Sequence, residues 1–316
     1  MRDVGRASAH AIVATLLVAA CSRGDGSPAA RIADVGTADV HHFVDAWRQL
    51  SPTDPSCAPL RAYFRQATRG LRAYRDKMSM SQADLCAAVR RHPDGYASLE
   101  SKLPALDSVA TTIRTLFAKY LSFDSSAKAP GVYFVVGAGR SAGTTTRGRD
   151  PMILIGMELN HSVDGLAWTV AHEMAHTQQH YPFFGAMNGG PTFLRGSLLR
   201  HSIMEGSADL VAELLTGQPK RNSYGEAHEA ALWQEFQHDA QSRSYDRWLY
   251  NGWDVSGRGD RPADLGYWIG YRVAKSYYDR ATDKSRALRE ILSIRDFDRF
   301  LAASGYDGRA AASGAR

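Results

Sequence analysis

The sequence predicts an α+β fold, mostly helical, with a small sheet and an N-terminal helical layer. Three observations carry this expectation. Apolar residues recur at i, i+3, i+4 and i+7 through most of the chain. Two runs, "GVYFVV" from residue 131 and "MILIGMEL" from residue 152, break that rhythm and read as strands. The 316 residues are enough to bury a real core, and 44% apolar against 22% charged is ordinary for a globular protein.

Five stretches follow in order. Residues 1–20 read as a lipoprotein signal peptide: Arg2 and Arg6 precede "AIVATLLVAA", a run too short to span a bilayer. "LVAAC" resembles the lipobox of bacterial lipoproteins, which makes Cys21 a lipid anchor and the first mature residue. Ser22 follows, with no Asp to argue for inner-membrane retention, so the expected place is the cell envelope, at the periplasmic face of the outer membrane. Residues 21–36, rich in Gly, Ser, Ala and Pro, read as a flexible tether.

Residues 37–128 form the helical layer. Thr37 can cap a helix whose buried stripe is Val40, Phe43, Val44, Trp47 and Leu50. "SPTDPS" ends it, and Leu60, Tyr63, Phe64, Ala67, Leu71 and Tyr74 mark a single second helix. Two more are expected near 81–91 and 104–121. With Cys21 lipidated, Cys57 and Cys86 remain as an even pair, either bridged in an oxidising compartment or buried as reduced thiols.

Residues 129–304 form the main domain, and 305–316 read as a disordered tail. Between the two strands lies a glycine-rich loop, "GAGRSAGTTTRGRDP". Gly137, Gly139 and Ala142 match G-x-G-x-x-A, yet the residues that follow cannot open a helix, so a dinucleotide site is not expected. A net charge of +5 without a Lys/Arg block gives no nucleic-acid footprint either.

The chemistry concentrates in "TVAHEMAHTQQHYP", residues 169–182. His172 and His176 are four apart, on one helix face, where two imidazoles reach one zinc ion. Glu173 flanks them and can take a proton from activated water. Ser162 or Asp164 can cap this helix. A catalytic zinc needs a third protein ligand. Gln179 and Pro182 stand where one class of such sites would need Gly and His, and His180 is turned away from the ligand face. The other class takes a glutamate from a later helix, and "HSIMEGSADLVAELLTG" is one. Glu205 is the proposed ligand, and Asp209, one turn on, can bond the outer nitrogen of a ligand histidine. Glu213, Glu226, Glu229 and His201 are rivals for the third ligand. Small Gly206, Ser207 and Ala208 let this helix approach another closely.

"TVAHEMAH", "MEGSADLVAELLTG" and "GYWIGYRVAKSYYDR", in that order, resemble a family of bacterial predicted zinc-dependent proteases of gluzincin type, related to gliding-motility lipoproteins. The likeness covers roughly residues 130–303. It implies a zincin-like fold, ligands His172, His176 and Glu205 for one Zn2+ per chain, and Glu173 as base. Against such a fold, "MILIGMEL" is expected to edge the cleft, where an extended peptide could add as a strand. Tyr267 can stabilise the oxyanion, with Tyr271, His228 and His238 as rivals. The expected function is an envelope-anchored zinc-dependent metallopeptidase acting on a peptide or protein. The alternative is a non-catalytic zincin-like envelope lipoprotein serving as an assembly or binding module. The intact Glu173 favours the enzyme.

Overall fold

The structure is a computed structural model that describes residues 34–51, 56–160, 162, 165–182, 196–252 and 259–309. Cys21, the signal segment, Asp164 and most of the tether lie outside the described residues. No described helix is long and apolar enough to cross a membrane.

The fold is α+β and mostly helical. The helical layer comprises α1 (Ala38–Trp47), α2 (Leu60–Arg65), α3 (Arg69–Met78), α4 (Gln82–Arg91), α5 (Pro93–Ala97) and α6 (Leu99–Phe123). The last helix starts five residues earlier than its pattern suggests and carries Pro104 inside it. Cys57 and Cys86 are joined as a disulfide, tying the segment before α2 to α4.

Four strands follow the order β1-β2-β4-β3. They are β1 (Val35–Gly36), β2 (Gly131–Val135), β3 (Gly143–Thr145) and β4 (Met152–Gly156). The first three in that order are parallel, and β3 runs antiparallel to β4. Two expectations change here. The end of the tether is a strand, because Val35 and Gly36 pair with β2. The edge strand beside the cleft is β3, from within the glycine-rich loop, whereas "MILIGMEL" supplies β4 in the interior of the sheet. The β-branched Thr144 and Thr145 suit that edge. All five residues of β2 are buried, as befits a strand covered on both faces.

That double cover explains the helical layer. Helices α1 and α3 pack against β2, while α7 (Leu166–Gln178) packs against β3 and β4. Tyrosines of the layer also satisfy backbone groups at the strand ends. The Tyr63 hydroxyl donates to the Val136 carbonyl and accepts from its N–H, both at 2.9 Å, and Tyr96 donates to the Gly137 carbonyl at 3.0 Å. One continuous hydrophobic core runs from Phe43 of α1 to residues of the main domain such as Leu210. The layer and the main domain therefore share a core.

The glycine-rich loop turns its N–H groups inward. Gly137 N and Gly139 N donate to the two oxygens of half-buried Glu158, at 2.9 and 3.0 Å. The chain's own carboxylate sits where a phosphate would need to be.

The remaining helices are α8 (Leu198–Thr216), α9 (Ser223–Ala227), α10 (Glu229–Asp239), α11 (Leu265–Arg280), α12 (Lys284–Ile291) and α13 (Phe297–Ser304). The small residues of α8 do permit a close crossing: a Cβ on Gly206 would lie 1.9 Å from the Tyr271 nitrogen of α11, and one on Gly270 would lie 1.6 Å from the Ser202 carbonyl. Of the expected tail, residues 305–309 are described, and Tyr306 and Gly308 among them are buried. The Tyr306 hydroxyl donates to Glu229 at 2.8 Å. An aromatic with a buried carboxylate partner holds the chain past the last helix.

Candidate metal centre and its cleft

Helix α7 is amphipathic in an unusual sense: it is surrounded by protein and still carries polar groups. Leu166, Val170, Ala171, Met174 and Ala175 pack inward. Its entry is closed by Ser162, whose hydroxyl accepts from the Gly165 N–H at 3.1 Å. One turn separates His172 from His176, and their rings meet edge to face with centroids 4.8 Å apart.

The Nε2 atoms of these two rings are 3.1 Å apart. Glu205 of α8 brings its Oε2 to 3.1 Å from His176 Nε2 and 3.3 Å from His172 Nε2. Each Nδ1 faces an acceptor: Asp209 Oδ1 at 2.9 Å for His172, and Gln179 Oε1 at 2.9 Å for His176. The Gln179 amide is fixed by its own donation to the Met204 carbonyl at 2.7 Å, so its oxygen points at the ring. A ring that ligates a metal here would carry its proton on Nδ1, toward these acceptors, and turn a lone pair inward from Nε2.

Two imidazole lone pairs and a carboxylate oxygen converging on one point repel one another unless a cation lies between them. Ligands held about 2.0–2.1 Å from zinc at tetrahedral angles stand about 3.3 Å apart. The three donor atoms match that spacing, and their N/N/O chemistry suits zinc. Among the described residues, His172, His176 and Glu205 form the group that can hold a metal ion.

The electrostatics point the same way. Burial works against a charged His172, yet the Asp209 and Glu205 carboxylates outweigh it and push the ring up to about 10. Burial also disfavours the Glu205 carboxylate, but the two histidines hold it well below the usual carboxylate range. The centre is shaped for positive charge. Asp209 is itself buried and is matched by Lys220, with Nζ 2.7 Å from Oδ2. Glu173 is 7% exposed, and burial raises its pKa against the opposing pull of the histidines.

A cavity of about 640 Å³ opens over this centre. His172, Glu173, His176, Glu205, Tyr250 and Tyr267 line one part of it, and β3 with α3 lines another. Strand β3 meets the base directly. A Cβ on Gly143 would fall 2.8 Å from both Cγ and Oε1 of Glu173, so the carboxylate rests on the bare Cα of the edge strand.

Tyr267 lies in the cavity, its ring stacked on His172 at 6.2 Å between centroids. Tyr271 points elsewhere and donates to Glu213. His228 and His238 are exposed and outside the cavity lining. The rival ligands are engaged or remote. Glu213 pairs with Lys275 at 3.3 Å, Glu229 with Arg272 at 2.6 Å, Glu226 is exposed, and His201 packs among the Tyr245 and Tyr250 rings.

Three contributors escaped the sequence reading. Gln179, noted there only as a departure from a pattern, orients His176. Tyr250 donates to Glu205 Oε1 at 2.8 Å from a loop position with φ of 57°. Burial and the Glu205 charge raise the Tyr250 and Tyr267 hydroxyls well above their ordinary value, so both remain donors at neutral pH. Lys77 of α3 reaches the cleft from the helical layer. A glutamine just past a helix end and three residues after His176 offered a spacing signal. Tyr250 offered none.

The fold and the centre define a class: two histidines one helical turn apart, a glutamate from a following helix, and a buried glutamate beside them. Residues 135–293 match the family described as "Predicted Zn-dependent protease (DUF2268)", and the chain belongs to that family. No curated protein and no solved structure matches the chain.

Proposed function

We propose that the chain is a zinc-dependent metallopeptidase of gluzincin type, related to gliding-motility lipoproteins and anchored to the bacterial envelope by lipid on Cys21. The observation that supports it most is the convergence of His172 Nε2, His176 Nε2 and Glu205 Oε2 within 3.3 Å beside buried Glu173, at the floor of an open cleft. The anchoring rests on "LVAAC" and its setting in the sequence alone.

In this reading His172, His176 and Glu205 hold one zinc ion, which supplies Lewis acidity toward water and the scissile carbonyl. Asp209 and Gln179 keep both imidazoles in the ligand tautomer, and Tyr250 fixes the second oxygen of Glu205. Glu173 takes the proton of the attacking water and passes it to the leaving amine. Tyr267, a neutral hydroxyl in the cavity, donates to the developing oxyanion.

The peptide lies along β3. Ala142 and Thr146 bond inward to β4, at 3.0 and 2.8 Å, so Gly143 and Thr145 turn their backbone groups outward. An extended substrate adds there as a further strand.

Metal analysis of chain purified without chelator tests the centre. About one zinc per chain is expected, lost in His172→Ala and Glu205→Ala. Glu173→Gln should keep the metal and lose about 10²–10⁴-fold in peptide cleavage, the usual worth of a general base. A glutamine variant that cleaves as well as wild type would sink this mechanism.

A further inference from the structure

Lys77 is not used by any step above, yet its position is specific. Ala73, Asp76 and Lys77 share one face of α3 at i, i+3 and i+4, and all three line the cleft. The Lys77 ammonium donates to the Thr145 carbonyl, one of the outward-facing carbonyls of the edge strand. The side chain is exposed at the wall of the cleft, where desolvation lowers its pKa against the pull of Glu173.

Among the described residues Lys77 takes part in no ion pair, although Asp76 lines the same wall. Lys220, by contrast, is matched to Asp209 at 2.7 Å. The charge balance sharpens this. A divalent cation on the three donors offsets Glu173 and Glu205, and Lys220 offsets Asp209. Among the described lining residues, Asp76 is then the acidic group left beside Lys77. An ammonium has three donors, and the Thr145 carbonyl uses one.

We propose that Lys77 is a specificity-determining residue that binds a carboxylate of the peptide, an Asp or Glu side chain or the C-terminal group, next to the residue paired with Thr145. The inference rests on the peptidase reading and names its substrate class: peptides with an acidic group beside the strand-paired segment. Lys77 comes from the helical layer, outside the segment matched to the family. Recognition and chemistry would thus come from different parts of the chain.

Binding, not turnover, tests it. Zinc-loaded Glu173→Gln chain is titrated into fluorescein-labelled decapeptide pools, read by anisotropy. One pool carries Asp and Glu and ends in an amide. A second replaces them by Asn and Gln, and a third is the second with a free C-terminal carboxylate. One or both carboxylate-bearing pools should bind about tenfold tighter than the neutral pool, the scale of one charge-assisted hydrogen bond. Which of the two binds names the source of the carboxylate. Adding Lys77→Met should erase the preference, Lys77→Arg should keep most of it, and Lys77→Glu should turn it toward a Lys/Arg pool. Equal binding of all pools, or a preference that survives Lys77→Met, would overturn the proposal. Failure of the peptidase reading shows separately, as a chain with Glu173 intact that cleaves none of the pools.

Discussion

Helices α3 and α7 border the same cleft and are built on opposite rules. Helix α7 is enclosed by protein and nevertheless buries Glu173 and nearly buries both histidines. Helix α3 is an ordinary amphipathic helix, with Leu71 and Tyr74 inside and its charged residues outside. A buried charge is costly unless it is paired or needed, so the polar groups of α7 announce chemistry. The cleft-facing groups of α3 sit where any solvated helix would put them. The comparison separates two kinds of functional residue: those that violate the hydrophobic pattern and those that obey it. Four tests, taken from the largest effect to the smallest, probe how far the two sides differ.

The largest effect should come from the crossing of α8 and α11 behind the metal centre. In Gly206→Ala the new methyl would fall on backbone, 1.9 Å from the Tyr271 nitrogen and 2.0 Å from the Gly270 carbonyl carbon, and backbone cannot yield cheaply. Overpacking of this kind costs about 3 kcal/mol or more. Because Glu205 is the adjacent residue, zinc content should fall with the melting temperature. The same substitution in the helical layer, Gly95→Ala on α5, meets nothing within 4 Å and should be neutral or stabilise by about 0.5 kcal/mol. Equal melting curves for the two variants would erase the contrast.

The disulfide is the counterpart on the layer's side. Cys57 and Cys86 are 29 residues apart, and α3 lies within the loop they close. Cys57→Ser with Cys86→Ser should destabilise the chain by about 3 kcal/mol. The metal centre belongs to other elements, so zinc stoichiometry should stay at one per chain. If α3 forms a substrate wall, KM should rise more than kcat falls. A fall in kcat alone would place α3 among the elements that position the chemistry.

Gly143→Ala should show function moving without fold. The atoms in its way are Cγ, Cδ and Oε1 of Glu173, a side chain that can shift at less cost than the backbone met at Gly206. The displaced base is then out of line with its water, and a misplacement of about 1 Å can cost about 10²-fold in rate. The expected outcome is an unchanged melting temperature and zinc content with kcat reduced by about that factor. Wild-type kcat would show that Glu173 does not need its seat on β3.

These cases show why the sequence was legible where it was. His172, Glu173 and His176 share one helical turn, so spacing alone brings them together. Glu205 and Asp209 also share a turn, and only the meeting of α7 with α8 lies beyond local pattern. Tyr250 reaches Glu205 across 45 residues from a loop, where no period constrains it. Strand β3 hid inside a glycine-rich stretch, since three residues paired on one side leave too short an alternation to read. The burial of Tyr306 beside Glu229 left no sign in the sequence, because one aromatic past a helix end makes no period. Local periodicity encodes what one helix holds, and contacts between distant loops leave no such trace.

The smallest effect tests the baseline against which the cleft charges stand out. Glu290 of α12 accepts from the Tyr277 hydroxyl at 2.6 Å and from Arg286 Nε at 2.9 Å, far in sequence from the centre. The Tyr277 bond, with Arg286, holds its carboxyl below the ordinary range. A depressed carboxyl contributes stability that is present above its unfolded pKa and lost as pH falls through the folded one. Its side chain is 40% exposed, so solvent screening limits the contribution to under about 1 kcal/mol. Glu290→Gln should therefore melt slightly below wild type at pH 7, and the gap should close as pH is lowered past about 4. A gap of several kcal/mol at neutral pH, or one that widened in acid, would mean that surface carboxylates of this chain are as strongly committed as Glu173 and Glu205. Burial would then no longer distinguish the charges of the cleft from the rest.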